Sequence, residues 1–470
     1  MLYNLVVDGV ETKVTINDDD VKFESNDNAE LSYQFDDVIG CEETMVGWVW
    51  KTEVTRVWLI EHESSNLLVK KYIVVSGNER KRFQQALTRK TVKETKRPKR
   101  LLVMINPNGG NGTARKDFRD IVEPVFRLSG ISMDIIFSEH PGHLIDVTKS
   151  YDFTDTDGIV LLGGDGTYHE VLNVLMRKRQ EEQGVDINDP NAALYPLNIP
   201  FGLIPTGSCS NWSLNTTGTR AVLTAALHVI QGRTVASPLI TVFNNGKLLG
   251  FGCAGFSYGF LTNVVVRCER DFRWLGRSRY KLICLWVLLF ENLAQYIYDA
   301  KVTFHTSVTE RRNTKTNEME IFVAERKLTG YTSYTSDTVI YNRKFWDMMI
   351  FNGNTIFNGK PLIDATKMFV PKPTMFSSVV LFDTISPGSV RKFFKLSFGN
   401  KYLDELGSDM DVLHIRGIKM ELIGGLDDTD PDTAPAKRTV ILDGEKYELE
   451  SPSCQFWYKL DVVQVFSSYL

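Results

Sequence analysis

Apolar and polar positions alternate in short stretches through the first 95 residues of the chain. Runs such as LYNLVVDGV and LLVKKYIVV place apolar side chains at about every second position, and segments rich in Asp, Asn and Ser separate the runs. A period of two between turn residues is typical of half-buried strands. The stretch NERKRFQQALTRK then changes to helical spacing. The pattern therefore predicts a small antiparallel β domain over residues 1–95, closed by a helix.

The pattern changes after residue 97. Four apolar runs, LLVMIN, MDIIFS, GIVLLG and FGLIPT, alternate with amphipathic stretches within residues 97–236. Strands that alternate with helices indicate a parallel sheet covered by helices. Residues 237–470 return to β patterning, with one helical piece at about 273–298. We therefore expect an α/β plus β fold, in which an α/β domain with a parallel sheet precedes a C-terminal β-sandwich domain.

Small residues collect where the predicted parallel strands end. NPNGGNG follows the first strand, GGDGT the third and PTGS the fourth. Ligands bind at the carboxyl ends of parallel strands, and glycine lets a phosphate approach the backbone and the N-terminus of the next helix. One such loop would be an ordinary turn, whereas three on one sheet indicate a nucleotide site. Its design differs from known fingerprints, because the chain has neither a Walker A lysine nor GxGxxG.

Two acidic residues belong to the GGDGT loop and the helix after it. Asp165 either binds Mg²⁺ or accepts a proton from an attacking hydroxyl, and the alternative is that it caps the following helix. Glu170 either contacts metal or ribose, or is an acidic residue that favours a helix start. We prefer the functional interpretation of Asp165, because a carboxylate among phosphate-binding glycines repels the ligand unless it has a role.

Composition and charge narrow the possible partners. The 470 residues carry a net charge of −4, which argues against nucleic acid. Six cysteines without paired spacing, and an N-terminus without a signal-peptide pattern, lead us to expect a cytoplasmic protein. The basic stretch at 89–100 is either a solvated linker or a contact with an anionic membrane. The apolar segment KLICLWVLLFENL is either a core helix or a wall of an acyl-chain pocket, and both interpretations predict burial.

These motifs carry a family resemblance. NPNGG, GGDGT and GLIPTGS resemble the catalytic domain of the diacylglycerol kinase superfamily, which includes sphingosine and ceramide kinases. Segments similar to the ceramide kinase branch in particular are RPKRLLVMINPNGGNG, DGIVLLGGDGTYHEVLN, ALHVIQG and RWLGRSRY. The resemblance covers about 97–300, becomes weak beyond 300 and returns at ILDGE. It implies ATP-dependent phosphorylation of the primary hydroxyl of a ceramide-like lipid, and a pleckstrin-homology-like domain at 1–95.

The resemblance also implies roles for individual residues. Asp165 is the catalytic proton acceptor, and the substrate side of the site comprises Gly163, Gly164, Asp165, Gly166 and Asn263. The implied ATP-binding residues are Asn106, Pro107, Asn108, Ser138, Glu139, His140, Pro141, Gly142, Glu170, Gly207, Ser208, Cys209, Arg273, Arg279, Asp443, Gly444 and Glu445. Mg²⁺ accompanies ATP, with Asp165 or Asp443 as the candidate ligand. Residues 237–470 then form a mostly β lipid-binding domain from which Asp443–Glu445 returns to the active site.

Three departures from the family pattern keep other functions open. Asn111 stands where the first loop often has a lysine, Asn263 stands where an aspartate usually meets the lipid head group, and CSNWS follows PTGS in place of GNA. The alternatives are a sphingosine kinase, a catalytically weak pseudokinase that binds lipid or nucleotide, and an enzyme like NAD kinase or phosphofructokinase. The expected partners are a sphingolipid and a membrane surface, reached through 89–100 or the N-terminal domain. Nothing in the sequence indicates the oligomeric state.

Overall fold

The computed structural model describes most of the chain, with gaps that are concentrated between residues 314 and 436. The described residues are 1–25, 29–47, 51–64, 67–110, 112–208, 210–276, 278–313, 319–323, 326–327, 331–352, 356–357, 360–361, 377–382, 410–423 and 437–467.

The N-terminal region forms one antiparallel sheet of seven described strands followed by a helix. These elements are β1 (Leu2–Val7), β2 (Val10–Ile16), β3 (Asp20–Ser25), β4 (Glu30–Gln34), β5 (Val38–Val46), β6 (Thr52–Ser64), β7 (Leu67–Ser76) and α1 (Arg80–Glu94). The sheet order is β4-β3-β2-β1-β7-β6-β5. Phe83 and Leu87 of α1 are buried, four residues apart, against this sheet. The pleckstrin-homology-like assignment of this region stays a prediction.

The next region holds parallel strands that alternate with helices. Its elements are β8 (Arg100–Ile105), α2 (Ala114–Asp117), a π-helical turn (Phe118–Val122), α3 (Glu123–Leu128), β9 (Ser132–Phe137), α4 (His143–Ser150), β10 (Gly158–Gly163), α5 (Asp165–Glu182), β11 (Phe201–Pro205), α6 (Asn211–Thr217) and α7 (Val222–Gln231). The four strands pair in parallel in the order β9-β8-β10-β11. The expected α/β architecture is therefore confirmed, and all three glycine loops lie at the carboxyl edge of this sheet.

The C-terminal region is mostly β, and its last strand joins the parallel sheet. The described elements are β12 (Thr234–Asn244), β13 (Lys247–Gly252), β14 (Gly255–Gly259), α8 (Phe260–Asp271), α9 (Ser278–Phe290), β15 (Tyr298–His305), β16 (Thr309–Arg312), β17 (Met319–Val323), β18 (Arg326–Lys327), β19 (Ser333–Tyr334), β20 (Thr338–Phe345), β21 (Asp347–Asn352), β22 (Ile356–Phe357), β23 (Lys360–Pro361), β24 (Ser377–Phe382), β25 (Met410–Ile415), β26 (Gly417–Leu422), β27 (Thr439–Leu442), β28 (Glu445–Glu448) and β29 (Ser453–Phe466). Strand β29 pairs in parallel with β11 and antiparallel with β12 and β26, so one mixed sheet runs through both regions.

A second sheet packs against the antiparallel half of the mixed sheet. Its order is β25-β24-β21-β14-β27-β28. A hydrophobic cluster holds residues of both sheets, such as Tyr258 and Met348 from the second sheet and Val302 and Phe456 from the mixed sheet. The core of this region therefore contains side chains from both sheets. The assignment of the region to the β-sandwich class stays a prediction. The one helical piece expected near 273–298 corresponds to α9, and the sequence pattern missed α8.

Helix α9 is not buried as the sequence predicted. Ile283, Cys284 and Val287 face the core, whereas Leu289 and Phe290 are 64% and 69% exposed. A helix that is apolar on nearly all faces gives no periodic signal for the face that packs. Within the described part of the chain, no helix is both long and apolar enough to cross a membrane.

Candidate active site

The three glycine loops meet backbone to backbone at the edge of the parallel sheet. A Cβ on Gly110, which has a φ of +60°, would lie 2.4 Å from the carbonyl oxygen of Thr206. A Cβ on Gly207 would lie 2.3 Å from the Cα of Gly164. The amides of Thr206 and Gly207 both donate to the carbonyl oxygen of Gly163, at 3.0 and 2.8 Å. These glycines are therefore required for loop-to-loop packing as well as for the close approach of a ligand.

The first loop is also tied to the start of helix α5 by a side chain. The Nδ2 of Asn106 donates to the hydroxyl of Thr167 at 3.0 Å, and its Oδ1 accepts from the amide of Asn108 at 3.2 Å. Pro107 lies between these two residues in the loop. Asn106 thus holds the loop in shape and links it to the GGDGT segment.

The carboxylate of Asp165 caps a helix, but not the helix that the sequence suggested. Its Oδ2 accepts from the amide of Asn211 at 2.9 Å, and its Oδ1 accepts from the amide of Trp212 at 3.0 Å. Asp165 therefore begins α5 while it caps α6. Burial raises the pKa of Asp165 to about 6, and the two amides only partly oppose that rise. A carboxyl group with a pKa close to neutrality suits proton transfer.

Arg220 brings a positive charge that the sequence analysis missed. Its Nη1 donates to the carbonyl oxygen of Ser208 in the PTGS loop at 3.5 Å. Its charge also opposes the burial-driven rise in the pKa of Asp165. Arg220 lies in the turn between α6 and α7, where one arginine in TGTRAV carries no local signal that it faces the glycine loops.

The DGE segment reaches the glycine loops as a tight hairpin turn. Asp443 and Gly444 have φ values of +55° and +94°, as in the two-residue turns that favour Asp-Gly. The Asp443 side chain is fully buried, and its oxygens accept from the amides of Cys253, Ala254 and Gly255 at 2.7, 2.8 and 3.0 Å. Asp443 thus fixes the connection between β13 and β14.

Glu445 of β28 lies against the first turn of α5, and Glu170 is part of α5 itself. A Cβ on Gly166 would lie 2.5 Å from Oε1 of Glu445, so that glycine is the space in which the Glu445 carboxylate fits. Burial and the nearby charge of Glu445 raise the pKa of Glu170. The two carboxylates therefore share one side of the site.

His169 and Tyr447 also belong to this region, although the sequence analysis did not select them. The Nδ1 of His169 lies 3.1 Å from Oδ2 of Asp443, and its Nε2 lies 2.6 Å from the Tyr447 hydroxyl. Burial tends to raise the pKa of Asp443, but hydrogen bonds from His169 and from backbone amides outweigh burial and lower it. The sequence does hold one signal that His169 belongs to the site: it stands four residues after Asp165, on the same face of the helix.

The segment after β9 lies next to the first glycine loop. The amide of Ser138 donates to the carbonyl oxygen of Ile105 at 2.8 Å, which holds Ser138 beside the end of β8. The amide of Glu139 contacts Nδ1 of His143 at 3.1 Å. His140 and Pro141 follow, and Gly142, with a φ of +81°, precedes α4. The loop predicted to contact ATP thus lies at the carboxyl edge of the parallel sheet, and the contact itself stays a prediction.

Other predicted residues make their described contacts elsewhere. Arg279 donates to Oε1 of Glu269 at 2.5 Å and to the carbonyl oxygen of Gly276 at 2.7 Å. Asn263 donates to the carbonyl oxygen of Gly259 at 2.7 Å and to the Tyr298 hydroxyl at 3.3 Å. Arg273 begins the 3-10 helix Arg273–Leu275, but its side chain is not among the described atoms, and Asn111 and Cys209 lie outside the described residues.

The described side chains do not form a ready-made metal cage. Among the described residues, no three His, Cys, Asp or Glu side chains group closely enough to hold a metal ion. Asp443, one predicted ligand, is fully buried and engaged by His169 and three amides.

Comparison with known proteins agrees with this geometry. Residues 100–242 match the diacylglycerol kinase catalytic domain. Human ceramide kinase is 36% identical over 220 residues, which are 47% of this chain and 40% of that protein. Sphingoid long-chain bases kinase 1 of Arabidopsis thaliana is 30% identical over 204 residues, 43% of this chain and 25% of that protein.

One solved structure has the same fold. A Bacillus anthracis structure, provisionally named a diacylglycerol kinase, aligns with a TM-score of 0.50 at 16% identity, over 79% of this chain and 95% of its own. The chain matches less than half the length of the curated relatives above. Residues 100–242 are therefore similar to diacylglycerol kinase catalytic domains, and human ceramide kinase is among the relatives that the chain resembles in sequence.

Proposed function

We propose that the protein is an ATP-dependent lipid kinase that phosphorylates the primary hydroxyl of ceramide to give ceramide 1-phosphate. The observation that carries the proposal is the buried carboxylate of Asp165, which lies where three glycine loops meet at the carboxyl edge of a parallel sheet. Both partners of a phosphoryl transfer would meet there.

The site fits a nucleotide through its backbone. The close-packed glycine loops and the N-terminus of α5 offer amides and a positive dipole end to phosphates. Mg²⁺ bound with ATP would neutralise charge on the phosphates. Glu170 and Glu445, both half-buried, would reach such an ion or the ribose, whereas Asp443 serves the turn.

Asp165 and Arg220 would have different roles where the phosphate meets the lipid hydroxyl. Asp165 would accept the proton of the lipid hydroxyl, since burial has already brought its pKa towards neutrality. Arg220 would supply positive charge next to the PTGS loop, where the chain lacks a Walker lysine. The predicted role of Arg279 in phosphate binding would require its guanidinium to leave Glu269.

The preference for ceramide rests on Asn263. A long-chain base carries an ammonium that an aspartate can pair with, whereas an asparagine offers only a dipole. The neutral amide of ceramide can exchange hydrogen bonds with an asparagine. Relatives named for ceramide and for sphingoid bases both match the chain, so the sequence similarity alone does not choose between these substrates.

Labelled ATP offered with ceramide, sphingosine and diacylglycerol in separate mixed micelles tests the proposal. We expect a higher kcat/KM on ceramide than on sphingosine, and a smaller gap in Asn263→Asp. Better turnover of sphingosine by the unmodified protein would make it a sphingosine kinase. Binding of ATP without phosphorylation of any lipid would make it a pseudokinase.

The lipid substrate requires contact with a membrane, and α9 is the element that we propose for it. Its outward face exposes Leu282, Leu285, Trp286, Leu289 and Phe290, with Trp274 nearby in the chain and 78% exposed. Exposed apolar patches of this kind mark interaction sites, and tryptophan favours the membrane interface. The basic stretch at 89–100 suits this role less well, because its Arg97 donates to carbonyl oxygens of Ile39 and Ile230.

A further inference from the structure

Helix α5 carries a polar stripe that takes no direct part in the proposed reaction. His169, Asn173 and Arg177 follow one another at intervals of four residues, which places them on one face of the helix. Asn173 exchanges two hydrogen bonds of 2.9 Å with the backbone of Phe251, and Arg177 donates to the carbonyl oxygen of Leu249 at 2.9 Å. The stripe therefore fastens α5 to strand β13.

His169 differs from the other two members because it contacts the hairpin of β27 and β28. Its ring is 3% exposed and is held at both nitrogens, by Asp443 at 3.1 Å and by Tyr447 at 2.6 Å. The Asp443 carboxylate can only accept, so Nδ1 of His169 carries a proton, and Nε2 forms the second hydrogen bond, with the Tyr447 hydroxyl. We call His169, Asp443 and Tyr447 the hairpin clamp.

In the chain, Glu445 stands between Asp443 and Tyr447, the two hairpin residues that contact His169. Glu445 and Tyr447 are two apart on β28, so both face α5. Gly166 and His169 are three apart on α5, so both face β28. The helix and the strand thus make two adjacent contacts, Glu445 on Gly166 and Tyr447 on His169.

We propose that His169, through Tyr447, is a positioning residue that fixes Glu445 at the nucleotide site. A slip of β28 by one residue would turn Glu445 away from α5, and the hydrogen bonds of the clamp oppose that slip. The hypothetical Cβ on Gly166 shows how closely Glu445 approaches the first turn, so small shifts of the strand move its carboxylate relative to a bound phosphate or ribose. The consequence for ATP rests on the proposed function, whereas the clamp itself does not.

Hydrogen–deuterium exchange of the full-length protein tests the clamp without any ligand. We expect Tyr447→Phe and His169→Gln to speed exchange of the amides of residues 443–448 by about tenfold, because each variant removes a hydrogen bond that holds the hairpin. Asn173→Ala removes hydrogen bonds to the backbones of Phe251 and His169 but none to the hairpin, so exchange in the hairpin should stay at the wild-type rate. Unchanged exchange in the isosteric Tyr447→Phe variant would overturn the proposal.

Calorimetric titration with a non-hydrolysable ATP analogue and Mg²⁺ tests the consequence. The two clamp variants should bind about tenfold more weakly, as is common when a residue that orients a ligating group is removed. Asn173→Ala should stay within about twofold of wild type even where its Tm falls. Wild-type affinity in the clamp variants, or an equal loss in Asn173→Ala, would overturn the positioning role. Failure of the wild-type protein to bind the analogue would instead refute the proposed nucleotide site, and the exchange result would still decide the clamp.

Discussion

At the scale of single residues, the Asp165 carboxylate both caps helix α6 and takes part in the proposed reaction. Its two oxygens accept from the first amides of α6, and burial keeps its pKa near 6. An amide side chain can accept only one of these hydrogen bonds and presents its own donor to the other amide. Substitutions at this position therefore act on fold and chemistry together, and the two effects must be measured separately.

We expect Asp165→Asn to lower kcat by at least about 100-fold, because the variant has no group that can accept the hydroxyl proton. Thermal unfolding should also show a loss of about 1–2 kcal/mol from the weakened cap of α6. Asp152→Asn is the matched control, since Asp152 caps an exposed local turn at Thr154. Near-normal turnover in folded Asp165→Asn would rule out the general-base role.

The raised pKa of Asp165 makes the reaction sensitive to pH in a defined window. A folded-state pKa of about 6, above the ordinary value of 3.8, means that the carboxyl gains protons as pH falls through 6. A protonated carboxyl cannot accept the hydroxyl proton. The kcat/KM for lipid should therefore fall by about tenfold for each pH unit below about 6 and level off above it. A flat profile between about pH 5 and 7 would contradict this assignment.

Arg220 should matter more for ATP use than its position in the sequence suggests. We expect Arg220→Ala to raise the KM for ATP or lower kcat by about tenfold, and Arg220→Lys to retain part of the activity, because only the alanine variant removes the positive charge. Arg119→Ala, which breaks an exposed ion pair with Asp120, is the control. Steady-state kinetics with ATP varied at fixed lipid would measure both, and wild-type kinetics in Arg220→Ala would exclude Arg220 from the site.

At the scale of elements, the sequence pattern predicts those helices and strands that are determined by residues close together in the chain. The four parallel strands and helix α5 follow from their periods, and the glycine loops follow from their place at the strand ends. Helix α6 has only seven residues, and its cap comes from Asp165, which is 46 residues away along the chain. Helix α8 escaped detection because its VVV run resembles a strand. The contact of His169 with Tyr447 joins residues 278 apart, so no local pattern indicates it.

Helix α9 should bind membranes through its outward face. We expect the double variant Trp286→Ser with Leu289→Ser to reduce sedimentation with ceramide-containing phosphatidylcholine vesicles severalfold, because each serine removes apolar area from the interface. Turnover of a short-chain, water-dispersed ceramide should change far less. Thr309→Ala, on an exposed strand, is the control. Unchanged vesicle binding in the double variant would exclude α9 and favour the N-terminal domain.

At the scale of the whole molecule, the N-terminal sheet is built into the catalytic region. Ile39, Ile60 and Leu68 share a hydrophobic cluster with residues of β8, α3 and α7. A Cβ on Gly40 would lie 2.1 Å from the carbonyl oxygen of Leu128, so the two regions touch backbone to backbone. The sequence showed two separate patterns joined by a basic stretch, and it could not show that the stretch lies in an interface. A loosely tethered domain is therefore a poor description of residues 1–95.

Arg97 provides the sharpest test of that interface. Its guanidinium donates to carbonyl oxygens of Val38, Ile39, Ser129 and Ile230, and burial lowers the pKa of Arg97 to about 10. Arg97→Ala leaves these acceptors without their donor, which should lower the free energy of unfolding by about 2 kcal/mol or more. Because the interface joins the two regions, urea unfolding should stay a single transition in wild type and shift or split in the variant. Lys93→Ala, which alters an exposed residue of the same basic stretch, should leave the midpoint unchanged. An equal effect of the two substitutions would mean that the N-terminal sheet is only tethered to the catalytic region, and that the basic stretch remains free to reach an anionic membrane.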